Sequence, residues 1–135
     1  MAVARALACF ALLAASLAAH AIPIERRLHG EWVPEGHACR SGVGVRLDKA
    51  GVTLVNGARR RTYADIEASD TYWGGQRSDG LVVAVFPRLT GGVADFILHV
   101  NHERKVGRAM IEFPAPALRE DFPFGERPMR KCRIG

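Results

Sequence analysis

The 135-residue chain lacks every short motif that would announce a common catalytic chemistry. It contains no Gly-x-Ser-x-Gly elbow, no phosphate-binding glycine loop, no His-Glu-x-x-His and no Cys-x-x-Cys. The usual signatures of serine-hydrolase, nucleotide-dependent and zinc-protease chemistry are therefore absent, which leaves only a small hydrolase with an unrecognised site as a minor enzyme reading. Helical periodicity is missing too. Beyond the first 21 residues no apolar stripe at i, i+3, i+4, i+7 lasts three turns, which excludes a helical bundle. The length leaves no room for a Rossmann sheet or a TIM barrel, so one domain is expected. Acidic residues are scattered: Asp65 and Glu67 share a strand face, while Asp70 and Asp79 lie in loops. No second group is brought to bear on either pair, so acid–base work has no visible partner. The chain is expected not to be an enzyme and to need no cofactor.

The long apolar run that does occur is short for a membrane span. Ala6 to Ala18 is apolar for 13 residues apart from Ser16, whereas a spanning helix needs about 20. Arg5 precedes it and Ala19-His20-Ala21 follows, with small residues at the two positions a signal peptidase reads. Residues 1–21 are expected to be a signal peptide cleaved near Ala21, the alternative being a buried N-terminal helix. Cys9 sits before most of the apolar run instead of after it, which argues against a lipid anchor. The mature domain, residues 22–135, is then periplasmic or secreted. An outer-membrane barrel is disfavoured, because the nine aromatics of that part are not placed as girdles. No integral membrane protein is expected.

Cysteine is scarce, and its scarcity is informative. Of three cysteines, Cys39 and Cys132 survive cleavage, and a lone pair in an exported chain reads as one disulfide. It would close a loop of almost the whole domain, worth roughly 4–5 kcal/mol in the chain-entropy picture. A metal reading would pair Cys39 with His37, but no second ligand pair stands at zinc-site spacing, and no metal is expected. His99 and His102 flank a turn, where backbone partners would satisfy them. Lysine is nearly absent from the mature part, with only Lys49, Lys105 and Lys131, yet arginines carry the chain to a formal charge of +5. Two clusters stand out: Arg59-Arg60-Arg61, and Arg127 with Arg130, Lys131 and Arg133. They suit either a solvated basic surface or an anionic partner, such as a lipid head group or an acidic protein face. No nucleic-acid module is recognised.

What is present is punctuation. Short apolar or alternating runs are separated by glycine and proline, the signature of β structure. Strands are predicted over 28–33, 42–48, 52–55, 58–66, 81–86, 93–100 and 105–113. Asn56-Gly57 marks a hairpin. Alternation puts Arg59 and Arg61 on one face and Arg60 on the other. Segments recur about every ten residues, as in an up-and-down sheet or small barrel. The fold class is therefore all-β: a small antiparallel up-and-down barrel or sandwich of seven to eight strands with a Pro-rich C-terminal tail. That tail, 113–135, is expected to be irregular apart from a helical turn near Ala117–Glu120. Phe122 and Phe124 should pin it to the barrel and Cys132 should fasten its end, so that reduction loosens the tail before the sheet. The loop 69–80 holds Tyr72, Trp73 and Arg77 among glycines. An aromatic pair there is either a contact surface for a partner or, for Trp73, a plug in a barrel end.

Leu28-His29-Gly30-Glu31-Trp32 opens the first strand, and Gly30-Glu31-Trp32 resembles the Gly-x-Trp signature of calycin-type barrels. That group includes the lipocalins and the small bacterial inhibitors of secreted metalloproteases. The resemblance implies that Trp32 closes the barrel's base. It also implies that the first mature residues, Ile22-Pro23-Ile24-Glu25, would act as a plug for a protease cleft. In those inhibitors the disulfide closes a short local loop, whereas here Cys39 has only Cys132 to meet. Because a barrel hosts many functions, the expected role is non-enzymatic binding of a protein or an anionic ligand. Inhibition of a secreted protease or other hydrolase is the alternative.

Overall fold

The computed structural model describes residues 24–70, 81–89 and 91–133. Tyr72, Trp73 and Arg77, and the proposed signal segment, lie outside the described residues. The architecture is an all-β, antiparallel, nearly closed barrel. Its strands are β1 (Gly30–Pro34), β2 (Val43–Asp48), β3 (Gly51–Asn56), β4 (Arg59–Tyr63), β5 (Ile66–Asp70), β6 (Val83–Pro87), β7 (Ile97–Val100), β8 (Arg108–Glu112) and β9 (Met129–Lys131). One short helix, α1 (Pro116–Asp121), interrupts them between β8 and β9. The sheet order is β4-β3-β2-β1-β9-β8-β7-β6-β5.

Nine strands cannot alternate direction around a closed ring, and the pairings show how the conflict is resolved. Eight antiparallel steps link β4 to β5 through the rest of the sheet. An even number of reversals means that β4 and β5 run the same way. Only Ala64 and Asp65 separate them, so they form one bent strand whose first half pairs with β3 and whose second half pairs with β6. Sharing one strand between two neighbours at different heights provides the stagger that a barrel of tilted strands requires. In effect the barrel has eight strands, in keeping with the seven to eight expected, and the strand predicted over 58–66 is the first part of this bent one.

The inner face follows from the period-2 alternation. Trp32, Val45, Leu47, Val52, Leu54, Val83, Val85, Leu98, Val100, Ala109, Ile111 and Met129 all point inward and are nearly inaccessible. β1 and β8 run in the same direction, because each is antiparallel to β9. Leu28, just before β1, and Phe113, just after β8, therefore mark opposite ends of the barrel. At the first end Ile24 and Leu28 are buried, and Trp32 reaches back so that its indole N–H donates to the Leu28 carbonyl at 3.1 Å. That bond satisfies the one polar atom of a ring that is 1% exposed. At the other end Phe113, Phe122 and Phe124 stack with ring centroids 5.8 to 6.4 Å apart.

The tail is more regular than its prolines suggest. Pro116 opens α1, where its missing N–H costs nothing, and the helical turn expected at 117–120 is there. Phe122 and Phe124 are both buried and pack with Phe113 of the barrel. Beyond Pro128 the chain forms β9, which lies between β1 and β8 and completes the sheet. The expectation of an irregular tail is corrected at this point. A three-residue strand with one inward residue, Met129, leaves almost no periodic signal. The strand predicted over 93–100 shortens to Ile97–Val100, although burial keeps alternating back through Phe96.

Candidate functional site

The β1–β2 connection, Glu35 to Gly42, does not stand out from the barrel end. It folds back over the outer face, and the register measures how far. The Cys132 amide donates to the Glu31 carbonyl at 2.8 Å, which places Cys132 level with a residue three positions before Pro34. Cys39 is disulfide-bonded to Cys132, with a Cα–Cα distance of 5.8 Å, a normal span for such a bond. At about 3.3 Å per residue, the flap returns about 10 Å along β1. Arg130 holds it as well, donating to the His37 carbonyl at 2.9 Å with another guanidinium nitrogen 3.4 Å from the Cys39 sulfur. Arg130 lies directly across from Val33 on the outer face. Val33 is outside the inner cluster yet only 3% exposed, as expected of a residue beneath the flap.

Between the flap and the outer face lies a groove of about 240 Å³. Its floor follows one cross-strand row: Val33 on β1, Gly44 on β2, Val55 on β3 and Arg60 on β4. Gly44 has φ +137°, and a Cβ there would collide with the Trp32 carbonyl oxygen. Only glycine fits between the two valines of this row. Arg40, from the flap, and Arg46, from β2, line the same groove with Glu31. Arg46 is bound to Asp48 at 3.1 Å. Arg40 and Arg60 make no hydrogen bond or ion pair with any described residue. A second hollow of about 390 Å³ adjoins the first, sharing Glu31, Arg40 and Arg46 and adding His29, Asp48 and Arg133 beside the disulfide.

The arginine clusters seen in the sequence dissolve on folding. Arg59 binds Asp121 of α1, Arg61 lies over the Tyr63 ring at 5.6 Å, and Arg60 alone faces the groove. In the C-terminal cluster, Arg130 serves the flap. Lys131 donates to the Arg27 carbonyl at 2.6 Å and sits 5.7 Å from the centroid of Trp32, covering that ring. Trp32 thus lies buried beneath Lys131 near the Leu28 end of the barrel. His29 is satisfied by the Ile24 carbonyl at 3.0 Å. His99 instead meets a carboxylate, Glu112, at 3.1 Å. No group of three or more histidine, cysteine or acidic side chains able to hold a metal occurs among the described residues.

Ile24 is buried in the core and Glu25 is bonded to Arg27. The four-residue plug is therefore not a free arm at its C-terminal half. The sequence pointed to the loop 69–80 as the contact surface and did not single out Arg40, Arg46 or Glu31. Alternation had put Arg60 on the face opposite Arg59 and Arg61; the folded-back flap that gives it neighbours has no periodic signature.

Across the barrel, the bend at Ala64–Asp65 borders another hollow of about 380 Å³, lined by Tyr63, Pro87, Arg88, Val93 and Asp95. The Tyr63 hydroxyl donates to Asp95 at 3.0 Å. Burial first, and then this bond to a carboxylate, push the Tyr63 phenol up to about 12. Arg88 Nε is buried with Asp65 and Glu67 oxygens at 3.4 and 3.6 Å, ion pairs without hydrogen-bond geometry.

Compared with protein-family models, with curated proteins and with solved structures, the chain matches none. The barrel shape is consistent with a small calycin-like barrel. No helix among the described residues is long and apolar enough to cross a membrane.

Proposed function

We propose that the mature chain is an exported, non-enzymatic binding domain that holds an anionic group of its partner in the groove under the flap. One observation carries the reading: Arg40 and Arg60 line a concave site and have no anionic partner among the described residues. Guanidinium groups bind carboxylate and phosphate through parallel N–H donors, and such charge-assisted bonds are stronger than neutral ones. The size of the groove narrows the ligand. At about 30 Å³ per water-sized group, its volume of about 240 Å³ admits about eight such groups. That suits one terminal residue or one head group, with an apolar part against Val33 and Val55. The disulfide is compatible with a periplasmic or extracellular place of work.

The test is a titration with two probes, inorganic phosphate and a dye-labelled tetra-aspartate peptide, against the wild type and three variants. Arg40→Glu and Arg60→Glu should each weaken the bound probe at least tenfold, as expected for a lost bond to a charged group worth about 1.5–3 kcal/mol. Glu31→Gln should tighten it a few-fold by removing the one acidic lining group. Saturable binding of phosphate alone identifies a phosphate ligand, and of the peptide alone a carboxylate. If neither probe binds, or the arginine reversals leave binding unchanged, the reading is wrong.

A further inference from the structure

We infer that the Cys39–Cys132 disulfide assembles this groove, so that anion binding belongs to the oxidised chain alone; the inference rests on the groove reading above. Arg40 reaches the groove only because the flap carrying it is folded back. The flap is tied to the barrel at its two ends, where the Glu35 amide donates to the Pro128 carbonyl and the Gly57 amide to the Gly42 carbonyl. Its other internal bonds are local turns, His37 to Pro34 and Ser41 to Ala38. The Arg108 guanidinium adds an ion pair to Glu35 at 3.2 Å at the first of those ends; between the ends, among the described residues, the disulfide and the Arg130 guanidinium hold the flap down. No residue from 35 to 42 belongs to the buried core. Arg40 also has φ +62°, a left-handed conformation that a non-glycine residue keeps only where its surroundings impose it. Its neighbour Cys39 is the flap's covalent anchor.

The other end of the bond is in a different situation. Cys132 follows β9, which is hydrogen-bonded to β1 on one side and β8 on the other. Breaking the sulfur link therefore removes no rung of the sheet. Reduction by a dithiol would proceed at Cys39, the more exposed sulfur, since Cys132 is 8% exposed. The dithiol's thiolate forms a mixed disulfide with Cys39 and expels the Cys132 thiolate, which takes a proton. The second thiol of the reductant then displaces Cys39 as a thiol. The reductant leaves as a disulfide, and two electrons and two protons pass to the protein. Thereafter the flap moves free of the outer face, one cationic wall of the groove goes with it, and Val33 is uncovered.

The experiment pairs binding with amide hydrogen exchange on the exported chain, oxidised, reduced with dithiothreitol and reoxidised, with Cys39→Ser/Cys132→Ser as a second reduced form. The tetra-aspartate peptide and phosphate are the probes. The expected result is binding weakened at least tenfold in both reduced forms and restored by reoxidation. Exchange should speed up over residues 36–41, while residues 129–132 and their β1 partners keep their protection. Equal binding by oxidised and reduced chains overturns the inference. So does loss of protection in β9 and β1 together with the flap, because the disulfide would then hold the barrel and not position the flap. If the oxidised wild type binds neither probe, the groove reading falls and takes this inference with it. That failure is distinguished by the oxidised sample alone.

Discussion

The barrel closes in two places, and by two different means. At the β9–β1 seam the backbone does the work. Cys132 and Glu31 extend the ladder beyond Lys131, the disulfide crosses it, and Lys131 covers Trp32. At the Ala64–Asp65 corner β4 and β5 share no rungs, and side chains bridge the gap. Tyr63 binds Asp95 and packs edge-on against Phe96 at 5.0 Å, and Arg88 gathers Asp65 and Glu67. A seam made of backbone bonds tolerates surface change but not loss of the ring beneath it. A corner made of side chains depends on a few polar contacts and on backbone fit. The seam is also where the flap folds down, and from there the groove runs across the outer face to Arg60 on β4.

The largest difference should come from Trp32→Ala at the seam. It removes a fully buried ring and leaves Lys131 over a void, a change costing about 3–5 kcal/mol. Denaturant unfolding should show this as a lower midpoint. An unchanged midpoint would mean that the seam does not rest on that ring. Next in size is Gly51→Ala at the corner. Gly51 has φ +120°, and a Cβ there would strike the Tyr63 carbonyl oxygen. The strain should cost about 1–3 kcal/mol and fall on the corner first, read as faster exchange of the amides at 63–66. Protection lost first at 129–132 would reverse the ranking of the two closures.

The same contrast explains what the sequence revealed. Strands β1 to β3, the hairpin at Asn56-Gly57 and the opposed faces of Arg59 and Arg60 were legible, because half-buried strands print period 2 into the chain. Cys39 and Cys132 were legible as a pair because they stand alone in residues 22–135. β9 was not, since Arg127, Pro128, Arg130 and Lys131 read as a charged, broken tail while a single methionine faces inward. The bend between β4 and β5 has no turn residues to announce it, so a strand that changes partners looks like one that ends. The groove is a tertiary product: Arg40, Gly44 and Arg60 come from three separate segments and meet only when the flap folds back. The segment around Tyr72 and Trp73 lies outside the described residues, and the groove does not depend on it.

The smallest and most specific effect should come from Tyr63→Phe. At neutral pH it removes one partly exposed hydrogen bond, a loss of about 1 kcal/mol. Its sharper signature is at high pH. The unfolded chain ionises tyrosine near 10, while the folded chain keeps Tyr63 protonated to about 12, because burial and Asp95 both oppose the phenolate. Below pH 10 neither state loses the proton, so this group makes stability no function of pH. As pH rises from 10 through 12, only the unfolded state gains the charge, and the stabilisation is lost. Tyr63→Phe should therefore be flatter than the wild type across that window, when lysine and the other tyrosine titrate equally in both. The difference between the two melting-temperature curves isolates the corner. Parallel curves would show that Tyr63 meets solvent as freely in the barrel as in the unfolded chain, and the corner would then be held by Phe96 packing and Arg88 alone.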